Sequence, residues 1–160
     1  METSAAFSLE KTPGYRAILW GGLIAGTMDI LAACINSTLR GGSALRVLQS
    51  VASGWLGADA YKLGFKAAVL GLVSHFFIAT VATAFYYAAS RKLNVLVRQA
   101  WLCGAAYGVA VYLFMNFVVF PLSAVPFRFT FRLGPVLTAV LIHIFCVGLP
   151  IALTVRRFSK

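Results

Sequence analysis

Four long apolar segments dominate the hydrophobic pattern of this chain, and polar stretches containing glycine, proline or basic residues separate them. Each apolar segment has about 20 residues, which at ~1.5 Å per helical residue is enough to cross a hydrocarbon core of ~30 Å. The pattern therefore predicts four transmembrane helices. They lie at about residues 17–38, 67–89, 101–120 and 135–155.

A shorter stretch after the first span has a different pattern. Between residues 43 and 56, apolar positions recur at helical spacing and polar positions fall on the opposite side. Ser43 follows two glycines and is a favourable N-cap. Because this stretch is too short to cross a bilayer, it predicts a short amphipathic interfacial helix. Three placements fit it: along the interface, over the mouth of a cavity, or packed on the bundle as a plain surface helix.

These elements together predict an all-α integral membrane protein, an antiparallel four-helix bundle with the amphipathic helix after the first span. No repeat, low-complexity tract or linker is visible, so residues 1–160 are expected to form a single membrane domain. Residues 126–134 alternate apolar with basic or polar side chains, which predicts an extended segment between the last two spans.

Composition supports the membrane assignment and limits the partners. Of the 160 residues, 61% are hydrophobic and only 11% are charged, whereas soluble domains carry roughly a quarter charged residues. The net charge of +10 comes from bases that flank the apolar segments and form no stripe or nucleic-acid-binding motif. Their expected partners are anionic lipid head groups, with no nucleic acid. A small excess of bases on the side of the termini favours both termini in the cytoplasm.

Small residues at four-residue spacing predict where helices approach closely. Gly22 and Gly26 mark such a face in the first span, and Gly104 and Gly108 mark one in the third. Asp29 falls on the same helical face as the first glycine pair. Since a carboxyl group is costly in lipid, we expect Asp29 to face other helices.

Each span carries one strongly polar side chain on the half away from the termini. Counting helical rise puts Asp29, His75 and His143 about 12–14 Å from that edge of the membrane, with Asn116 nearer the surface. Antiparallel helices can bring these groups together, so we predict a buried polar cluster that is a possible proton or ligand site. The alternatives are a polar clasp that only fixes helix pairing, or four unconnected roles.

Enzymatic and metal-binding motifs are absent from the sequence. It has no nucleophile elbow, phosphate loop, dinucleotide fingerprint or glycosidase-like carboxylate pair, so no catalytic residue or cofactor is predicted. His75, His143 and Asp29 match a metal-ligand set in kind, but no two share a helix at ligand spacing, so no metal is predicted. A small lipid-modifying enzyme that uses the acid and a histidine stays a minor alternative.

Several segments of the chain resemble a known group of proteins: AGTMDILAA, RVLQSVASGWLG, YYAASRK and YGVAVYLFMNFVVFPLSA. Across about residues 17–157 the chain looks like the small uncharacterised four-span inner-membrane proteins of proteobacteria. The resemblance implies a bacterial inner membrane and transfers no activity or site.

Two functions are consistent with the residues. The favoured one is a non-enzymatic membrane subunit or binding module. The alternative is a proton-linked small-molecule transporter or carrier. Four spans are few for an aqueous pathway, so transport would need a homo-oligomer or a partner in a membrane complex.

Overall fold

The computed structural model describes residues 14–126 and 131–159. All regular elements in these two ranges are helical, which confirms the predicted all-α bundle with a short amphipathic helix after the first span. A single 3₁₀ turn, Gly57–Tyr61, follows that short helix. The helices are α1 Gly14–Leu39, α2 Ala44–Leu56, α3 Phe65–Ser90, α4 Val95–Arg98, α5 Ala100–Leu122 and α6 Leu133–Phe158.

Four of these helices are long and apolar enough to cross a membrane: α1, α3 and α6 with 26 residues each, and α5 with 23. Their outward sides carry large apolar side chains, for example Phe85 and Leu102, each 69% exposed, and Phe145, 60% exposed. Such an exterior is unfavourable in water and suits hydrocarbon. The chain is therefore an integral membrane protein with four spans, surrounded by a lipid bilayer.

The bundle is tightly packed at the end where α3 and α6 finish. There α1 packs against α3 and α6, α6 also packs against α5, and the buried side chains include Tyr86, Ile151 and Val155. The Tyr86 hydroxyl donates a hydrogen bond to a backbone carbonyl after α3 at 3.0 Å, and Tyr107 on α5 donates one to the Ala82 carbonyl at 2.7 Å. The first bond connects α3 to α4, and the second joins α5 to α3, so both satisfy polar groups inside the bundle.

The four glycines predicted at helix contacts all lie where another helix comes close. A Cβ atom on Gly22 would meet Thr80 Cα at 2.7 Å, and one on Gly26 would meet Phe76 Cδ1 at 2.8 Å, both on α3. At Gly22 the backbones of α1 and α3 therefore nearly touch, and at Gly26 the Phe76 ring of α3 occupies the space that a side chain would need.

The second glycine pair has the same role between α5 and α6. A Cβ on Gly104 would meet Ala152 Cβ at 2.8 Å, and one on Gly108 would meet the His143 carbonyl and Ile144 Cα. Gly148 on α6 faces the same contact from the other side and was not identified from the sequence.

Helix α2 is docked on α3. Ser43 is its N-cap, as predicted, and its hydroxyl accepts a hydrogen bond from the Arg46 N–H at 3.3 Å. Further along, the Leu48 carbonyl presses against Gly71 of α3, where any side chain would collide with it. Gly41 in the preceding turn has φ of +80°, a conformation that glycine adopts without strain.

Both α5 and α6 contain a π-helical segment shortly before a proline. Residues Met115–Val119 precede Pro121, and residues His143–Gly148 precede Pro150. A proline has no N–H and its ring collides with the carbonyl four residues earlier, so the preceding turn widens. Pro150 was expected to kink its helix or free a carbonyl, and the structure has a π-helical segment just before it. Pro121 was expected to end the third span, but the helix continues one residue further, to Leu122.

The extended segment predicted for residues 126–134 falls partly on residues 127–130, which lie outside the described residues. At its far end the chain is already helical from Leu133, because α6 begins there.

Candidate ligand-binding cavity

A cavity of about 810 Å³ lies in the half of the bundle away from the packed tyrosines. Helices α1, α2, α3, α5 and α6 and the loop after α5 all contribute to its wall. Protein interiors are normally close-packed, so a space of this size needs a cause. Two causes are visible: the π-helical segments widen α5 and α6 here, and part of the wall consists of small residues. These small residues are Ala25, Gly26, Gly54, Ala79 and Ala139.

All four polar side chains predicted from the sequence line this cavity: Asp29 on α1, His75 on α3, Asn116 on α5 and His143 on α6. Each is half-buried. Asn116 and His143 belong to the two π-helical segments, so the local widening of those helices positions them on the wall.

Three of these side chains are oriented by hydrogen bonds to backbone carbonyls of the spans. His75 Nε2 lies 2.8 Å from the Gly26 carbonyl, and His143 Nδ1 lies 2.9 Å from the Ala139 carbonyl. Because a carbonyl only accepts, each of these ring nitrogens carries the proton, which fixes the tautomer of a neutral imidazole. Asn116 donates from its amide nitrogen to the Tyr112 carbonyl at 2.9 Å.

Asp29 differs from the other three. Within residues 14–126 and 131–159 it makes no hydrogen bond and no ion pair, although it lies within electrostatic range of the Cys146 thiol on α6. No hydrogen bond in the same ranges joins any two of the four polar side chains. The predicted buried cluster is therefore not formed as a bonded network; the four groups share a cavity wall, and three of them are separately anchored to backbone carbonyls.

Helix α2 covers part of the cavity. Gly54 and Trp55 line it, and the Trp55 ring nitrogen donates to the Ser74 hydroxyl of α3 at 3.1 Å. The loop after α5 closes the same side, since the Ala124 N–H donates to the Gly54 carbonyl at 3.0 Å. Of the placements left open by the sequence, the structure combines two: α2 packs on the bundle and also covers a cavity.

Many lining residues were not predicted as members of the site, and two of them show why: Tyr112 and Trp55. Tyr112 stacks edge-to-face on His143 with ring centroids 5.5 Å apart, and it continues the four-residue register of Gly104 and Gly108. That register was visible and could have identified it. Trp55 could not be identified in this way, because its exposure to the cavity depends on how α2 docks.

The wall does not provide a metal site in the part of the chain that the structure describes. No group of three histidine, cysteine or acidic side chains there is close enough to hold a metal ion. What the wall does offer is a large apolar surface with a few separately fixed polar groups, which is the usual composition of a site for a small organic molecule.

Comparison with models of protein families, with curated proteins and with solved structures found no match to this chain. A function must therefore be argued from the cavity itself. The cavity has apolar walls, an acid without a hydrogen-bond partner in the described residues, and a position between membrane-spanning helices.

Proposed function

We propose that this protein is a non-enzymatic binding module that holds a small, largely apolar molecule between its membrane-spanning helices. The observation that carries the proposal is the presence of Asp29, His75, Asn116 and His143 on the wall of one cavity. Its volume of about 810 Å³ lies in the range of ~300–1,000 Å³ typical of small-molecule sites. A ligand would bury its apolar body against the helices and place a polar group among these side chains.

The arrangement favours binding over a purely structural clasp. A clasp that fixes helix pairing would join polar side chains to one another across helices. Of the four cavity side chains, only His75 makes a hydrogen bond to another span within the described residues, and it bonds to a backbone carbonyl. Asn116 and His143 bond within their own helices, so they contribute little to helix pairing.

The test fills the cavity without disturbing the packed end. Gly54 lines the cavity, and a Cβ there would meet only Ser123 Cβ at 3.9 Å, so Gly54→Leu is expected to fold and to occupy the space. Gly134 is the matched control, because a Cβ there meets nothing within 4 Å and it lies outside the cavity.

Binding is measured by calorimetry on the protein in lipid nanodiscs, with empty nanodiscs subtracted. The probes are three octyl compounds that differ only in the head group: octylammonium, octanol and octanoate. We expect saturable binding of at least one probe, lost in Gly54→Leu and kept in Gly134→Leu. Absence of saturable binding of all three, or binding that Gly54→Leu leaves unchanged, would refute the proposal.

A second candidate function is proton-linked transport of such a molecule by an oligomer. The observation that favours it is an acid without a hydrogen-bond partner in the described residues, on the same cavity as two imidazoles. Such groups exchange protons in transporters. The test is uptake of octylammonium into proteoliposomes under a pH gradient. Uptake that follows the gradient and is lost in Asp29→Asn supports transport, and uptake equal to that of empty liposomes rules it out.

We further propose a bacterial inner membrane as the location, with both termini in the cytoplasm and another copy or a membrane complex as partner. The basic residues flank the spans, which favours anionic lipid head groups over nucleic acid as their contact. A reporter enzyme inserted in residues 91–98 should be active on the cytoplasmic side. Activity on the opposite side would invert the proposed orientation.

A further inference from the structure

We infer that the cavity binds a lipophilic organic cation, a primary ammonium group on an apolar body, an inference that rests on the proposed function. Some hydrogen-bonding atoms of the wall already bond to the protein, and the others remain available to a ligand. The chemistry of the available atoms indicates the ligand.

The two histidines present acceptors to a ligand. His75 uses its Nε2–H on the Gly26 carbonyl, and His143 uses its Nδ1–H on the Ala139 carbonyl. In a neutral imidazole the other ring nitrogen has a lone pair and no proton. The atoms left for a ligand are therefore His75 Nδ1 and His143 Nε2, both acceptors.

The serines and the tryptophan of the wall also have their donors already in use, whereas Asn116 and the Tyr112 hydroxyl can still donate. The hydroxyls of Ser50 and Ser123 donate to backbone carbonyls at 2.7 and 2.9 Å, so their oxygens can only accept from a ligand. The Trp55 N–H is used on Ser74. Asn116 keeps its side-chain oxygen and one of its two N–H groups.

Charge points to the same ligand. Asp29 is the only charged side chain on the cavity wall as described, and neither lysine nor arginine contributes to it. An isolated carboxylate in a low-dielectric site is unfavourable unless a cation or several donors accompany it. A primary ammonium supplies one positive charge and three N–H donors, which fits a wall that carries one carboxylate and several acceptors. A carboxylate ligand would be repelled and would find few donors.

The remainder of the wall suits an apolar body. Aliphatic side chains from α5 and α6 line the space beside the polar groups, among them Val111, Val119, Val136 and Val147. An ammonium group without an apolar body would leave this surface uncovered, so we expect affinity to rise with chain length.

The test compares octylammonium, octanol and octanoate on the same protein in nanodiscs. We expect octylammonium to bind at least about tenfold more tightly than octanol, and octanoate to bind more weakly than either. Asp29→Asn should lower the affinity for octylammonium by at least about tenfold and leave that for octanol unchanged. Asp59→Asn is the matched control, because Asp59 is an exposed acid outside the cavity, paired with Lys62, and its loss should change neither affinity.

The outcomes separate this inference from the proposed function. The inferred preference for a cation is wrong if octanol binds as tightly as octylammonium, or if Asp29→Asn leaves the ratio of the two affinities unchanged. Either result leaves the proposed binding module standing. If none of the three probes binds, the proposed function itself fails. Asp29→Glu keeps the charge and should keep the preference for the ammonium. This second variant distinguishes loss of the charge from misfolding as the cause of weaker binding in Asp29→Asn. Loss of the preference in a folded Asp29→Glu variant would count against the inference.

Discussion

The contact between α5 and α6 at Gly108 allows the sharpest prediction about stability. Replacing Gly108 by alanine adds a Cβ that would lie 2.7 Å from Ile144 Cα and would also collide with the His143 carbonyl oxygen. Both are backbone atoms, so they cannot move aside as the end of a flexible side chain would. Helix α6 must therefore shift away from α5 along this contact.

The magnitude follows from two opposing effects. Overpacking a close contact costs about 1–3 kcal/mol, and a contact with backbone belongs near the upper end of that range. Alanine is the better helix former by about 1 kcal/mol, which offsets part of this cost. We expect Gly108→Ala to lower the free energy of unfolding by about 2 kcal/mol, which is about thirtyfold in the ratio of folded to unfolded protein.

The assay is reversible unfolding in mixed micelles with increasing mole fraction of a denaturing detergent, followed by helical circular dichroism. Gly134→Ala is the control, since a Cβ at Gly134 meets nothing within 4 Å. It should leave stability unchanged or raise it by up to about 1 kcal/mol. The reasoning is refuted if Gly108→Ala unfolds within about 0.5 kcal/mol of the wild type, or if both variants lose the same stability.

Three further predictions concern individual side-chain contacts. Trp55→Phe removes the hydrogen bond to Ser74 and should lower the free energy of unfolding by about 1 kcal/mol in the same assay. Adding Ser74→Ala to this variant should lower it little further. If the two losses are additive in a double-mutant cycle, the bond contributes nothing. Tyr107→Phe removes the hydrogen bond between α5 and α3 and should cost about 0.6 kcal/mol, and an unchanged unfolding midpoint would contradict this. The hydrogen bond and charge of Lys62 lower the pKa of Asp59, so their small stabilisation is present at neutral pH and is lost as pH falls through the pKa of that carboxyl. The melting temperatures of wild type and Asp59→Asn should converge in acid and in high salt, and a gap that persists in acid would contradict the assignment.

The elements of the fold could be predicted from the sequence because they depend on local properties. The length of each apolar run is sufficient to identify a span, and Ser43 after two glycines is sufficient to start α2. Counting helical rise also put Asp29 and the two histidines at similar depth, and they share one cavity in the structure.

The remainder could not be predicted because it depends on the space between helices. Proline at positions 121 and 150 is compatible with an end, a kink or a π turn, and only the packing of neighbouring helices decides among them. The partners of His75 and His143 are backbone carbonyls, which carry no sequence signal. The size of the cavity likewise depends on how α2 docks and on the widened turns of α5 and α6, which the small residues of the wall alone do not reveal.

The tightly packed tyrosine end and the hollow end of the bundle occupy opposite halves of the same four helices. Residues that hold the protein together and residues that would select a ligand are thus largely different residues. Substitutions such as Val136→Ala or Val119→Ile reshape the hollow half without touching the buried contacts of Tyr86 and Val155. On the proposed function, such substitutions would change ligand preference while the packed end of the bundle stays as it is.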